Sequence, residues 1–264
     1  MAEKTVTLTR EEGVGIIKLN RPHVYNAFNN QMSLELQEQL KEAGSDPQIR
    51  ALILTGEGKA FCSGQDLNDR SAMKQRGETI SLGESVRSRY NPIVMAIANL
   101  DKPIIAAVNG VAAGAGCSLA LACDMRFITP KTRFVEAFAR IGLVPDSGSS
   151  YFLPRLVGLG RALEIAMTGR DVEADEAMKI GLANRMVPAE DLLEETFSFA
   201  RKLAQGPTVA VSLTKKAILK GMEGTLEEAL EFEAQAQEVA GRTQDFLEGV
   251  QAFTEKRKPR FQGK

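Results

Sequence analysis

Between Lys102 and Asp124 the chain reads KPIIAAVNGVAAGAGCSLALACD, and no other segment limits the possible folds as strongly. The apolar run IIAAVNG reads as a buried strand closed by a Gly turn, and Lys102-Pro103 breaks the helical spacing before it. Behind the turn, GCSLALACD reads as a helix of small residues, which must lie close against whatever it packs on. A second Gly-bearing turn, FCSGQDL at 61–67, also sits where a strand ends and a helix begins. A helix start leaves backbone N–H groups without intrahelical acceptors, so two such turns facing each other can form an oxyanion hole. A Gly/Ala helix packed tightly on a neighbour, with no chemical role, accounts for GAGCS as well.

The rest of the N-terminal region alternates the two periodicities. TVTLT and GIIKLN read as short strands, QMSLELQEQLKEA as an amphipathic helix and ALILTG as a buried strand. The stretch from Glu78 to Leu100 has helical spacing, and MRFIT reads as a further strand. The fold class is therefore α/β, with strand, Gly turn and helix recurring as successive turns of a coiled β-rich layer backed by helices. From about Asp191 the strand signals stop, and DLLEETFSFARKLAQ, TVAVSLTKKAILKGM, LEEALEFEAQAQEVAG and a stretch near DFLEGVQAFTEK read as helices. This divides the chain into a core at 1–190 and a helical region at 191–264 that covers the core, a ligand or another subunit.

Composition removes several functions. Lys and Arg total 33 against 34 for Asp and Glu, so no global field favours nucleic acid or an anionic membrane, and an anionic ligand must be met locally. No run approaches the roughly 18 apolar residues that a membrane span needs, and MAEKTVTLTREEG has no apolar signal core; a cytoplasmic location is expected. Cys62, Cys117 and Cys123 are odd in number and sit in apolar or Gly-rich surroundings, which suits reduced, packed thiols. His23 is the only histidine and no paired-Cys spacing occurs, so neither a metal site nor a His-dependent serine hydrolase is expected. His23 itself, in RPHVYN, reads as a surface loop residue.

GLVPDSGSSYFLPRLVG at 142–158 places Asp146 after Pro145 and before a Ser/Gly stretch able to open a helix. Asp146 fits a helix N-cap, worth about 1 kcal/mol. It fits equally a carboxylate desolvated by Leu143, Val144 and Phe152, whose pKa would rise towards the range useful for proton transfer. Glu136, in FVEAF, is the other local carboxylate and reads as an exposed surface group.

As a set, LNRPHVYNAF, KAFCSGQDL, KPIIAAVNGVAAGAGCSLALACD, GLVPDSG and EGVQAFTEKRKPRF resemble the crotonase (enoyl-CoA hydratase/isomerase) superfamily over nearly the whole chain. The resemblance implies a spiral of repeated β-β-α turns with a helical C-terminal region used in trimerisation, giving a homotrimer or dimer of trimers. It implies an acyl-CoA substrate, with coenzyme A part of that substrate and no separate cofactor. The thioester oxygen would be held by the backbone N–H groups of Gln65 and Ala115. Arg21, Phe253 and Lys256 occupy positions similar to family CoA contacts, the last two serving a neighbouring subunit; taken alone, KRKPR is a solvated surface run.

Hydratases of the family resemble one another in two glutamates that activate a water. This chain has Ser118 and Phe138 at those places, while Asp146 falls where family isomerases carry an acidic residue. The resemblance thus implies an isomerase with Asp146 as its single acid/base. CSGQDLNDR, GLVPDSGSSYFLPRLVG, AGRTQDFLEGVQAF and KRKPRFQGK most resemble the isomerases of phenylacetate breakdown. Those convert ring-1,2-epoxyphenylacetyl-CoA to an oxepin thioester and can move the double bond of 3,4-dehydroadipyl-CoA to the 2,3 position. Three rivals remain: an enoyl-CoA hydratase of fatty-acid β-oxidation, an enzyme using Asp146 as a nucleophile, and a non-catalytic RNA-binding member, the last opposed by the near-neutral charge.

Overall fold

The computed structural model describes residues 4–67 and 81–264. Positions 68–70 of CSGQDLNDR and 78–80 of the expected helix lie outside the described residues. Among the described residues, ten strands form two sheets: β1 Val6–Glu11, β2 Val14–Leu19, β3 Ala51–Gly56, β4 Ala60–Cys62, β5 Ile104–Val108, β6 Val111–Ala113, β7 Met125–Ile128, β8 Arg133–Val135, β9 Asp171–Glu173 and β10 Arg185–Met186. One sheet has the order β1-β2-β3-β5-β7-β10, the other β4-β6-β8-β9. The pairs β3/β4, β5/β6 and β7/β8 each send one strand to either sheet, and the neighbours so formed run parallel. The chain therefore advances as a spiral of β-β-α turns, as the resemblance implies.

The helices are α1 Asn30–Ser45, α2 Leu82–Ser85, α3 Asn91–Ala98, α4 Ala115–Ala122, α5 Ser149–Val157, α6 Leu159–Thr168, α7 Ala174–Lys179, α8 Leu192–Ala204, α9 Thr208–Gly221, α10 Leu226–Gly241 and α11 Gln244–Thr254; a π turn over Val86–Tyr90 joins α2 to α3. Strands β3 and β5 are buried at every position, because parallel strands covered on both faces need apolar side chains in both directions. One face packs on Met32, Leu36 and Leu40 of α1 and on Ile93 and Ile97 of α3. The other receives α8, where Leu192, Ala200 and Ala204 meet Ala51, Ile53, Ile105 and Ala107.

Beyond α8 the packing thins. Helices α9 and α10 bury no residue, and α11 buries only Asp245 and Ala252. Lys215 anchors α9 to the core through Asp124, Nζ to Oδ1 3.0 Å. The Asp245 carboxylate accepts N–H bonds from Gln262 (2.6 Å) and Gly263 (2.8 Å), folding the last residues back over α11. Among the described residues, no helix is long and apolar enough to cross a membrane. All three cysteines are free and buried, as expected.

Candidate active site

The two Gly turns meet backbone to backbone. A Cβ built on Gly64 would lie 2.8 Å from Ala113 O and 3.7 Å from Ala115 N; one on Gly116 would lie 2.3 Å from Cys62 O. Only glycine permits these approaches, and Gly64 also has φ +92°, a region costly for other residues. Phe28 clamps the first turn by a parallel bridge: its N–H donates to Gly64 O (2.7 Å), and its carbonyl accepts from Asp66 N–H (2.9 Å). Alternation along an extended chain then aims the N–H of the intervening Gln65 the opposite way. In the second turn Gly114 donates to Val135 O at 2.9 Å, and the chain enters α4 at Ala115, whose N–H has no intrahelical acceptor.

The Gln65 side chain is committed to local structure. Its Nε2 donates to Phe28 O (3.1 Å) and Asp66 O (3.2 Å), and its Oε1 accepts from the Tyr90 hydroxyl. The main chain is thus the part of Gln65 left to meet a ligand. Arg21 braces the same turn, with Nη1 donating to Ala27 O and pairing with Asp66 Oδ2 at 3.0 Å. Its alignment with a family CoA contact did not reveal this inward role; the buried Asp66 partner is what creates it.

Asp146 is not a helix cap. Helix α5 starts at Ser149 with Gly148 as its N-cap and no side-chain capping bond. The Asp146 main-chain carbonyl accepts from Ser149 N–H (3.0 Å) and Ser118 Oγ (3.0 Å), and its Oδ1 accepts from Ser147 Oγ (2.7 Å). The carboxylate is half-buried. Leu143 and Phe152 are half-buried, but Val144 is 76% exposed and cannot shield it as expected, because the 142–148 turn points that side chain outward. A narrow apolar cleft lined by Phe28, Tyr90, Ile93, Val94, Leu119 and Ala115 reaches Ser147, beside the carboxylate. Tyr90, which sequence reasoning did not single out, thus joins the first Gly turn to the cleft wall, edge-on to Phe28 at 5.5 Å between ring centroids.

At the two places where a hydratase would carry glutamates, Ser118 is fully buried with its hydroxyl on Asp146 O, and Phe138 is buried. Glu136 overturns its expected surface position. It is 1% exposed, because the turn after β8 carries it inward beneath α4. Burial pushes its carboxyl above the usual range, Ser149 and Cys117 pull it back in part, and the nearby Asp146 charge pushes it further up.

The remaining expected contacts lie elsewhere. Phe253 is 88% exposed and Lys256 is exposed, both at the end of α11. Residues 256–260 are solvated throughout, and His23 is exposed in the turn Pro22–Val24. Burial pushes the Cys62 and Cys123 thiols up to about 12, so neither is a nucleophile at neutral pH. No group of His, Cys, Asp and Glu among the described residues is arranged to hold a metal ion.

Residues 9–264 match the family model described as enoyl-CoA hydratase/isomerase. The 1,2-epoxyphenylacetyl-CoA isomerase of Escherichia coli (strain K12) is 44% identical over 254 residues, covering 96% of this chain and 97% of that protein. The crotonyl-CoA hydratase of Syntrophomonas wolfei is 38% identical over 265 residues, covering 99% of each chain. The crystal structure of an enoyl-CoA hydratase from Bacillus anthracis superposes with a TM-score of 0.92 at 35% identity, covering 98% of this chain and 100% of that one.

Proposed function

Since the chain belongs to the enoyl-CoA hydratase/isomerase family, the crotonase superfamily, we propose that it is an acyl-CoA isomerase with Asp146 as its acid/base. The observation that carries this reading is the replacement of both hydratase glutamates. Ser118 spends its hydroxyl on a backbone carbonyl and Phe138 offers a phenyl ring, which leaves Asp146 as the half-exposed carboxylate beside the cleft. Water addition needs two groups to share proton removal and delivery, whereas a double-bond shift needs one mobile base.

In this mechanism the thioester carbonyl enters between the N–H groups of Gln65 and Ala115. Asp146 removes a proton from the acyl chain; the C–H electron pair passes into the carbonyl and forms an enolate held by the two N–H groups. Asp146 then returns the proton to another carbon. Each such donor is worth about 3 kcal/mol in the transition state. The acyl group we propose is that of ring-1,2-epoxyphenylacetyl-CoA, with 3,4- to 2,3-dehydroadipyl-CoA isomerisation as a related step; the 44% identity to the E. coli isomerase supports it. Arg21, and Phe253 and Lys256 from a neighbouring subunit, are the proposed CoA contacts in a homotrimer or dimer of trimers.

Enoyl-CoA hydration is the second reading, supported by relatives named as hydratases, including the S. wolfei enzyme and the short-chain-enoyl-CoA hydratase of Clostridium acetobutylicum at 36% identity. The purified protein should isomerise 3-enoyl-CoA and epoxyphenylacetyl-CoA while hydrating crotonyl-CoA poorly. Rapid crotonyl-CoA hydration with no isomerisation would establish the second reading instead.

A further inference from the structure

The mechanism above leaves one buried carboxyl unused. Both oxygens of Glu136 are inaccessible and neither has a hydrogen-bond partner; the Ser149 hydroxyl is likewise unpartnered. Glu136 follows β8, whose Val135 O accepts the Gly114 N–H at the oxyanion turn. Its polar neighbours are the Cys117 thiol in the first turn of α4 and the Ser149 hydroxyl at the start of α5, which approach the carboxyl without a hydrogen bond of normal geometry. It therefore lies behind both halves of the site, between the helix that presents Ala115 and the turn that presents Asp146.

A carboxylate here would be a buried charge that meets only a hydroxyl and a thiol, neither in normal hydrogen-bond geometry, a state proteins avoid by keeping the proton. Among the described residues the groups acting on Glu136 are Ser149, Cys117 and Asp146, and no cation is among them. The buried Arg126 acts on Cys117 and spends its guanidinium on carbonyls at the far end of α4 and on Leu182 O.

We propose that Glu136 is a positioning residue of the proton transfer: as a neutral acid behind the two turns, it adds no second negative charge while the first moves from Asp146 to the enolate. The proposal rests on the role of Asp146 given above. Ionising Glu136 adds a second negative charge that opposes enolate formation, so kcat falls as pH rises through its raised pKa. The stability sign agrees. The folded-state pKa is raised, so the contribution of Glu136 is fully present below the ordinary glutamate range and declines as pH rises from there through the raised value.

The test is the pH profile of kcat for isomerisation in wild type, Glu136→Gln and Asp146→Asn, with thioester affinity measured in each. Wild type should lose turnover as pH rises through the raised pKa of Glu136, and Glu136→Gln should lack that fall, exceeding wild type on the order of tenfold above it. The thermal midpoint of Glu136→Gln should also gain on wild type as pH rises. An unchanged fall in Glu136→Gln, or no fall in wild type, overturns the proposal. Turnover by Asp146→Asn overturns the underlying mechanism instead. If Glu136→Gln does not fold, infrared spectroscopy of wild type decides. A protonated-carboxyl band that bleaches together with the fall in kcat supports the proposal, and a band that persists through the fall overturns it.

Discussion

Gly64 carries two constraints at once. Its φ of +92° costs another residue about 1–2 kcal/mol, and its missing Cβ leaves room for Ala113 O and Ala115 N. Gly64→Ala should therefore lower stability by at least that amount. It should also reduce kcat on the order of tenfold or more with a smaller change in KM, because in the proposed mechanism the displaced amide of Gln65 serves the enolate more than the substrate carbonyl. Urea unfolding and steady-state isomerisation together check this; a variant with full kcat would show that the approach of the two turns is not needed. Replacing the Gln65 side chain tests something else, the bracing by Phe28 and Tyr90, since its Nε2 and Oε1 are already occupied.

Among the elements, α9 to α11 have the least explained surface. Ile218 on α9 and Met222 at its C-cap, and Leu226 and Leu230 on α10, are apolar and exposed at i, i+4 spacing, so each pair shares one helical face. Phe246, Leu247, Val250 and Phe253 add further exposed apolar surface on α11. Single exposed apolar residues are ordinary, but runs of this kind mark interfaces. Light scattering should give a mass of about three or six chains of 28.7 kDa. Leu226→Glu with Leu230→Glu should shift it towards the monomer. A wild-type monomer would remove the proposed assembly, together with the proposed reach of Phe253 and Lys256 into a neighbouring site.

Over the whole molecule, legibility in the sequence followed the length over which a physical signal repeats. Strands β3 and β5 and helices α8 to α11 were readable because an apolar run or a helical period extends across them. Strands β4, β6, β8 and β9 have three residues each and β10 two, too few to show a period; pairing with neighbours creates them. At the site, the Gly turns announced themselves through composition. Glu136 did not, since one acidic residue in FVEAF gives no sign that the turn after β8 buries it. The capping reading of Asp146 failed for a similar reason: Gly148, at φ +83°, is the residue that starts α5. Local sequence placed the two Gly turns, and tertiary packing determined what each carboxyl faces.

The central claim is that Asp146 moves the proton. The most direct measurement is turnover of 3-enoyl and epoxyphenylacetyl thioesters by Asp146→Asn, with thioester affinity followed in parallel. Loss of turnover by about a thousandfold or more with affinity retained is the predicted result. Turnover near the wild-type rate would contradict it.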